Sequence, residues 1–394
     1  MLSCTNPALA AQAPDTLTLS DAMSRAAGAN RTIIASRLSR PVDLAGVRAA
    51  SQRPNPEVSV EAERETPHWA FGAGVPIEIS GKRQRRIDLA QATLAVSEAE
   101  TARVLADVRN EVRRAYYTAV AALRRGEIAQ DLETIAGRAR DAAQDRFQSG
   151  AAPRLEALQA QLAFAQAQND TVSARADTAA ARAELNALLA FDSAAAPALT
   201  DPFERSVVPA TAEAAAAALA GNAELQVLTR QIDAERARVA LARAMRRPDP
   251  TVSATLVYDS PPEFTFGWRL GAAVALPLFT TGQAEVAIAD ATLNRAIAER
   301  DARAAQISGA VAAAVVRAEG ARQALLRYQN EIVPASQQVD QMAQESYQSG
   351  QTGLLALLQS LQATRDIRLR AVQAGLDYQT ALAELERAMG TPLQ

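Results

Sequence analysis

Phe147-Gln148-Ser149-Gly150 and Tyr347-Gln348-Ser349-Gly350 are one phrase written twice, 200 residues apart. Each interrupts a long Ala-, Arg-, Glu- and Gln-rich stretch of helical periodicity, and each ends on glycine, the residue best suited to the left-handed turn that closes a helix. The copying runs outward from the phrase. Arg53-Pro54-Asn55-Pro56 followed by Val58-Ser59-Val60 returns as Arg247-Pro248-Asp249-Pro250 followed by Val252-Ser253-Ala254. Val75-Pro76-Ile77 with Ser80-Gly81 returns as Leu276-Pro277-Leu278 with Thr281-Gly282. Such a period is too long for a solenoid unit, so the chain reads as an internal duplication of a whole substructure.

The duplication divides the chain into an N-terminal tail or leader remnant (1–14), a first repeat (15–196), a linker (197–210) marked by Pro197, Pro202 and Pro209, and a second repeat (211–394). Each repeat reads as a helix, a β-hairpin (55–80 and 249–280), a long helix (83–147 and 283–347), a turn, and a return helix (153–190 and 354–389). The hairpins are legible from alternation: Val58, Val60 and Ala62 stand against Glu57, Ser59 and Glu61, and Phe264, Phe266 and Trp268 against Thr265, Gly267 and Arg269. In the first long helix Leu105, Val108, Val112, Ala115, Ala119 and Leu123 step by three and four, the spacing of a coiled coil. At about 1.5 Å per residue a helix of this length spans roughly 100 Å, more than a compact domain holds.

Composition narrows the function. Only 4% of the chain is aromatic, yet Trp69, Phe71, Tyr258, Phe264, Phe266 and Trp268 all fall in the expected strands, where a lipid-facing wall with aromatic girdles requires them. Trp69, Phe71, Phe264, Phe266 and Trp268 are therefore the lipid-facing candidates. The 41 basic and 44 acidic residues balance to −3, which gives no footprint for nucleic acid. Cys4 and His68 are the only residues of their kinds, so one chain builds neither a disulfide nor a His/Cys metal site. There is no Glu-x-x-His pair, nucleophile with a histidine base, or phosphate loop, and carboxylates such as Glu98, Glu111 and Asp131 lie beside arginines at helical spacing. An enzyme is not expected, and no catalytic residue, cofactor or resident metal is assigned. The run Lys82-Arg83-Gln84-Arg85-Arg86 reads as a solvated first helical turn. Met1-Leu2-Ser3-Cys4 resembles the end of a lipoprotein signal and Ala8-Leu9-Ala10 a signal-peptidase site, from which export is the expectation. No apolar run is long enough for a membrane-crossing helix.

Four strands of membrane-crossing length cannot close a barrel, since the smallest such barrels have about 8 strands, so the chain has to associate. A dimer supplying eight strands and a trimer supplying twelve both satisfy this count. Here the sequence resembles the TolC-type outer-membrane efflux proteins, over nearly its whole length. Leu276-Pro277-Leu278-Phe279 with Gly282 is similar to that family's fourth-strand ending. Pro76-Ile77-Glu78-Ile79-Ser80-Gly81-Lys82-Arg83, with Arg53-Pro54-Asn55-Pro56, is similar to the branch typified by the cobalt-zinc-cadmium efflux outer-membrane component. The resemblance implies a mainly α protein with a membrane β-barrel: a homotrimer with a twelve-stranded outer-membrane barrel and a periplasmic helical tunnel, docked to a periplasmic adaptor and through it to an inner-membrane RND pump. It also implies that the tips Gln148, Ser149, Gly150, Gln348, Ser349 and Gly350 meet the adaptor, and that the aperture candidates are Glu156 and, in the second repeat, Gln359. The expected function is a passive exit duct for heavy-metal cations. Alternatives are a duct for drugs or other organic compounds, type I secretion, and, from a different class, a soluble coiled-coil scaffold or a periplasmic adaptor.

Overall fold

The computed structural model describes residues 14–65, 68–204, 208–260 and 264–393, the side chains of 259, 260 and 264 excepted. The tail with Cys4, the hairpin turn at Thr66-Pro67, part of the linker and the Pro261-Pro262-Glu263 tip lie outside the described residues. In chain order the elements are β1 (Thr16–Leu17), α1 (Leu19–Ala29), α2 (Arg31–Arg37), α3 (Ser39–Ala50), β2 (Glu57–Ala62), β3 (Trp69–Pro76), α4 (Lys82–Gln148), α5 (Arg154–Leu189) and β4 (Ala198–Leu199). They continue with α6 (Thr211–Gly221), α7 (Ala223–Met245), β5 (Pro250–Ser260), β6 (Phe264–Val274), α8 (Gln283–Arg327), α9 (Val333–Gln348) and α10 (Leu354–Met389).

Two compact units emerge, and neither coincides with a repeat. One takes residues 36–103 and 223–305; the other takes the described residues of 1–35, 104–222 and 306–394. Each unit draws on both halves for a physical reason. In the first, β3 pairs antiparallel with β5 from Trp69↔Tyr258 to Pro76↔Thr251, so the two expected hairpins are joined into one sheet of order β2-β3-β5-β6. In the second, a core of Leu17, Ile33, Val112, Tyr116, Tyr117, Leu185 and Leu189 gathers the start of the chain, α4 and the end of α5, and Leu376 from α10 packs against it.

Helix ends in this second unit are fixed by side chains rather than by composition. Thr18 and Asp21 form a reciprocal capping box at the start of α1. Tyr116, fully buried, donates its hydroxyl to the Leu17 carbonyl at 2.9 Å and accepts from the backbone N–H groups of Thr200 and Asp201, which ties the chain start and the linker to α4. The short parallel pair β1–β4 lies beside these bonds, Leu17 opposite Leu199. Burial, reinforced by the Asp201 carboxylate, pushes the Tyr116 phenol up from its ordinary pKa against the opposing pull of the two backbone N–H groups.

Three helices that the periodicity presents as continuous are interrupted. The one expected before the first hairpin breaks at Asn30, whose extended backbone frees its side chain to accept from Thr32 N–H and to donate to the Leu188 carbonyl at 2.9 Å. Pro41 excludes a continuous helix over the preceding turn, because its ring clashes with the carbonyl four residues back and it has no N–H, and α2 and α3 part at Leu38. The helix before the second hairpin breaks at Asn222, which likewise donates its amide to the Ala388 carbonyl at 2.8 Å. The second long helix is split by a π turn at Tyr328–Ile332, with Val333 N–H reaching back to the Tyr328 carbonyl. Pro334 is the cause: a wider turn accommodates the ring and the missing donor.

The two return helices end alike, in left-handed backbone at Ala190 (φ 52°) and Gly390 (φ 74°). At Gly390 an added Cβ would also drive into the backbone of Gly221 and Asn222. Gly390→Ala is expected to lower stability by at least about 1 kcal/mol from backbone strain alone, with the clash adding to it. Ala190→Gly relieves the same strain and is expected to leave stability unchanged or raised. Chemical denaturation of the detergent-extracted protein measures both, and an unchanged midpoint for Gly390→Ala would contradict this packing.

Candidate functional site

Strand register decides what each face of the sheet presents. Val58, Val60 and Ala62 lie opposite Ala73, Phe71 and Trp69. Phe71 and Trp69 in turn lie opposite Leu256 and Tyr258, and these opposite Trp268 and Phe266. Because side chains alternate faces with period two, all of these residues share one face. They are exposed: Val58 at 77%, Trp69 at 47%, Phe71 at 48%, Phe266 at 60% and Trp268 at 71%. Trp69 and Phe71 also stack on each other, ring centroids 6.5 Å apart. The other face carries Glu57, Ser59, Glu61, Ser253, Thr255 and Arg269 among glycines 72, 74, 267 and 271. Thus four of the five lipid-facing candidates, Trp69, Phe71, Phe266 and Trp268, stand together on one exposed apolar face. The side chain of Phe264, whose backbone pairs with Ser260, lies outside the described residues.

The sheet is anchored at its root by charges that the sequence presents as solvated. Lys82 is 4% exposed, its ammonium 2.8 Å from the Asp249 carboxylate. Asp249 also accepts from Ile79 N–H at 3.0 Å, and Ile77 N–H donates to the Pro250 carbonyl at 2.8 Å. Arg86 pairs with Glu78 and reaches the Gln52 carbonyl, while Arg83 reaches the Ser51 carbonyl at 2.6 Å. Lys82, Arg83 and Arg86 therefore clamp the start of α4 to both hairpins; the expectation of a solvated first turn is corrected at Lys82 and Arg86, while Arg83, Gln84 and Arg85 are exposed. One signal was available: the repeat that carries Asn55 in its first copy carries the acidic Asp249 in its second.

At the repeated phrase both glycines are left-handed, Gly150 at φ 77° and Gly350 at φ 72°. The turns close by matching bonds. Gly150 N–H donates to Phe147 O and Ala151 N–H to Arg146 O, as Gly350 N–H does to Tyr347 O and Gln351 N–H to Ser346 O. The serines cap alike, Ser149 Oγ donating to Asp145 O and Ser349 Oγ to Glu345 O. The copies differ where the first has Phe147, 38% exposed, and the second has Tyr347, 3% exposed.

Tyr347 is a hub. Its hydroxyl donates to Glu156 Oε1 at 3.1 Å, the Arg146 guanidinium lies 5.5 Å from its ring centroid, and Arg146 Nε is 3.6 Å from the same carboxylate oxygen. Around it pack Leu354, Leu357, Leu361, Ala143 and Ala160. Of the two aperture candidates, Gln359 is exposed, whereas Glu156 has a largely covered side chain held by Tyr347 and Arg146 of its own chain. Neither a solvated Glu156 nor a free one describes this geometry: the carboxylate braces α5 against the end of α9. Among the described residues no group of three or more His, Cys, Asp or Glu is placed to hold a metal ion, and no helix is long and apolar enough to cross a membrane.

Burial, reinforced by the bond to Glu156, pushes the Tyr347 phenol up to about 12 from an ordinary value of 10.0. A raised pKa in the folded state means that this contribution to stability is complete below about pH 10 and is lost as pH rises through about 12. The thermal midpoint of the wild type is expected to fall across that window more steeply than that of Tyr347→Phe. Parallel pH profiles for the two would contradict the buried phenol.

Residues 22–190 and 214–391 match the family model described as outer membrane efflux protein. The cobalt-zinc-cadmium resistance protein CzcC of Cupriavidus metallidurans is 27% identical over 283 residues, covering 70% of this chain and 67% of that one. Among solved structures, CusC superposes with a TM-score of 0.79 at 16% identity, over 95% of this chain and 92% of its own. The VceC outer membrane protein of Vibrio cholerae superposes with a TM-score of 0.76 at 16% identity, over 95% and 97%. These two likenesses establish the fold, and the two matched segments span most of the chain: it belongs to the outer membrane efflux protein family.

Proposed function

We propose that this chain is the outer-membrane exit duct of a tripartite efflux system, assembled as a homotrimer and serving heavy-metal cations. The observation that carries the reading is the sheet. It has one continuous exposed apolar face, one polar face and two open edges, so it meets the demands of lipid only when further copies complete a closed barrel. Three copies give twelve strands. The repeated phrases and the family match falling in two segments support an internal duplication, which gives each copy two equivalent turns.

The metal-cation reading is supported by the likeness to the cobalt-zinc-cadmium resistance protein. Selection of cargo belongs in this account to a pump of the RND type, reached through a periplasmic adaptor, and the duct itself conducts passively. The tips are the proposed adaptor contact. Gln148, Ser149 and Gly150, and Gln348, Ser349 and Gly350, are exposed, and Leu155, Leu158 and Leu162 on α5 and Leu355 on α10 are exposed apolar residues close to them in sequence. Glu156 serves there as a brace for the tip, through Arg146 and Tyr347, and not as a cation ring.

Function and tip are tested together in a strain lacking the chain. Restoring the wild type is expected to restore growth on cobalt, zinc or cadmium salts, and protection against organic compounds alone would redirect the reading to a drug duct. Gly150→Trp with Gly350→Trp strains each turn by about 1 kcal/mol or somewhat more and adds bulk where backbones are proposed to meet. It is expected to leave trimer yield near normal and to abolish both metal resistance and adaptor cross-linking. Retained resistance would refute the docking role.

A further inference from the structure

The two edges of the sheet carry opposite charges on the same face. Glu57, Ser59 and Glu61 of β2 lie opposite Gly74, Gly72 and Ala70, which lie opposite Ser253, Thr255 and Val257, which lie opposite Gly271, Arg269 and Gly267 of β6. Glu57 and Glu61 on one open edge and Arg269 on the other therefore project from the polar face. All three are exposed, and none makes an ion pair among the described residues.

Edge strands present unpaired N–H and C=O groups, and in lipid these must be satisfied. β2 and β6 run in opposite directions, because each step from β2 to β3 to β5 to β6 is antiparallel. A second copy placed with its β2 beside β6 continues the sheet antiparallel, with polar face joined to polar face. Opposite and diagonal residues on one face of such a pair interact, and like charges directly opposite are destabilising. Every register that keeps the faces matched and places Arg269 opposite Glu57, Ser59 or Glu61 sets it beside a glutamate. Opposite Ser59 it has one on each diagonal. Pairing β2 with β2 would instead confront glutamates with glutamates, and pairing β6 with β6 would bring arginines together. The charges select the head-to-tail joint, the kind that closes into rings, over the two-fold joint.

We propose that an ion pair from Arg269 to Glu57 or Glu61 of the partner subunit specifies the register of the β6–β2 seam by which copies join. The inference rests on the proposed ring of copies and adds to it the residues that decide how the ring closes.

The test uses full-length protein in a Cys4→Ser background. Arg269→Cys is combined with Glu57→Cys or with Glu61→Cys, and Arg269→Cys with Val60→Cys, on the opposite face, serves as control. Under mild oxidation at least one of the first two combinations is expected to give disulfide-linked dimers and trimers on non-reducing gels, and the control none. Arg269→Glu is expected to raise trimer dissociation in detergent several-fold, and Glu57→Arg or Glu61→Arg added to it is expected to restore the trimer. A trimeric protein in which neither cysteine pair links copies and neither reversal rescues overturns the seam alone. Dimers formed by Glu61→Cys by itself would show a β2–β2 joint and overturn it as well. A wild type that stays monomeric in detergent overturns the ring and the seam together.

Discussion

A sheet with unpaired backbone along both edges and an aromatic, aliphatic face turned outward is unstable as an isolated object in either available solvent. In water the apolar face, with Phe266 60% and Trp268 71% exposed, loses the hydrophobic gain that would offset its ordering. In lipid each unsatisfied N–H or C=O costs several kcal/mol. The two demands are met together only when the polar face encloses water, the apolar face meets lipid and the edges are paired. Much else in this unit serves that sheet. β3 and β5 weld the hairpins into one surface, and the Lys82–Asp249 and Arg86–Glu78 pairs hold its root against the start of α4.

The helical unit solves a different problem. Small side chains allow close packing but supply little apolar area, so specific polar anchors do much of the positioning. Tyr116 holds the chain start and the linker; Asn30 and Asn222 each turn a helix break into a bond with the end of a return helix. Arg113, fully buried, has its charge balanced by Glu386 at 2.5 Å and bonds to Gln379 at 2.9 and 3.2 Å. In a buried ion pair of this kind desolvation offsets much of the attraction, so its net contribution to stability is small, whereas removing one partner leaves an uncompensated buried charge. The π turn before Pro334 and the left-handed caps at Ala190 and Gly390 mark where local backbone preference gives way to this packing.

Much of the fold was legible because its signals are local. Period-two alternation located β2 and β6, the turn after β2 and the repeat of the first hairpin located β3 and β5, and glycine after a long helical stretch located both turns. The helix breaks at Asn30 and Asn222 were not legible, since an asparagine is tolerated within a helix and its role here depends on carbonyls some 160 residues away in sequence. The charged run at Lys82 read as solvated for the same reason: Asp249, which covers it, is distant in sequence and close only once β3 pairs with β5. At the candidate site, alternation put Phe266 and Trp268 on one face, and the strand register adds Trp69 and Phe71 to it. Glu156 was placed near the tip without its bond to Tyr347, although the change from Phe147 to Tyr347 between copies was the visible hint that the second turn carries a hydroxyl needing a partner.

The division of the sheet into a face that meets lipid and a face that meets water underlies the whole architecture. It is tested most directly by placing single spin labels at successive positions along β5 and β6 in protein reconstituted into vesicles, and measuring their collision with oxygen and with a water-soluble nickel complex. A two-residue alternation is expected: oxygen accessibility high at 252, 256, 266, 268 and 270, and nickel accessibility high at 253, 255, 267, 269 and 271. Uniform exposure of both sets to the nickel complex, or alternation in the reverse phase, would contradict it.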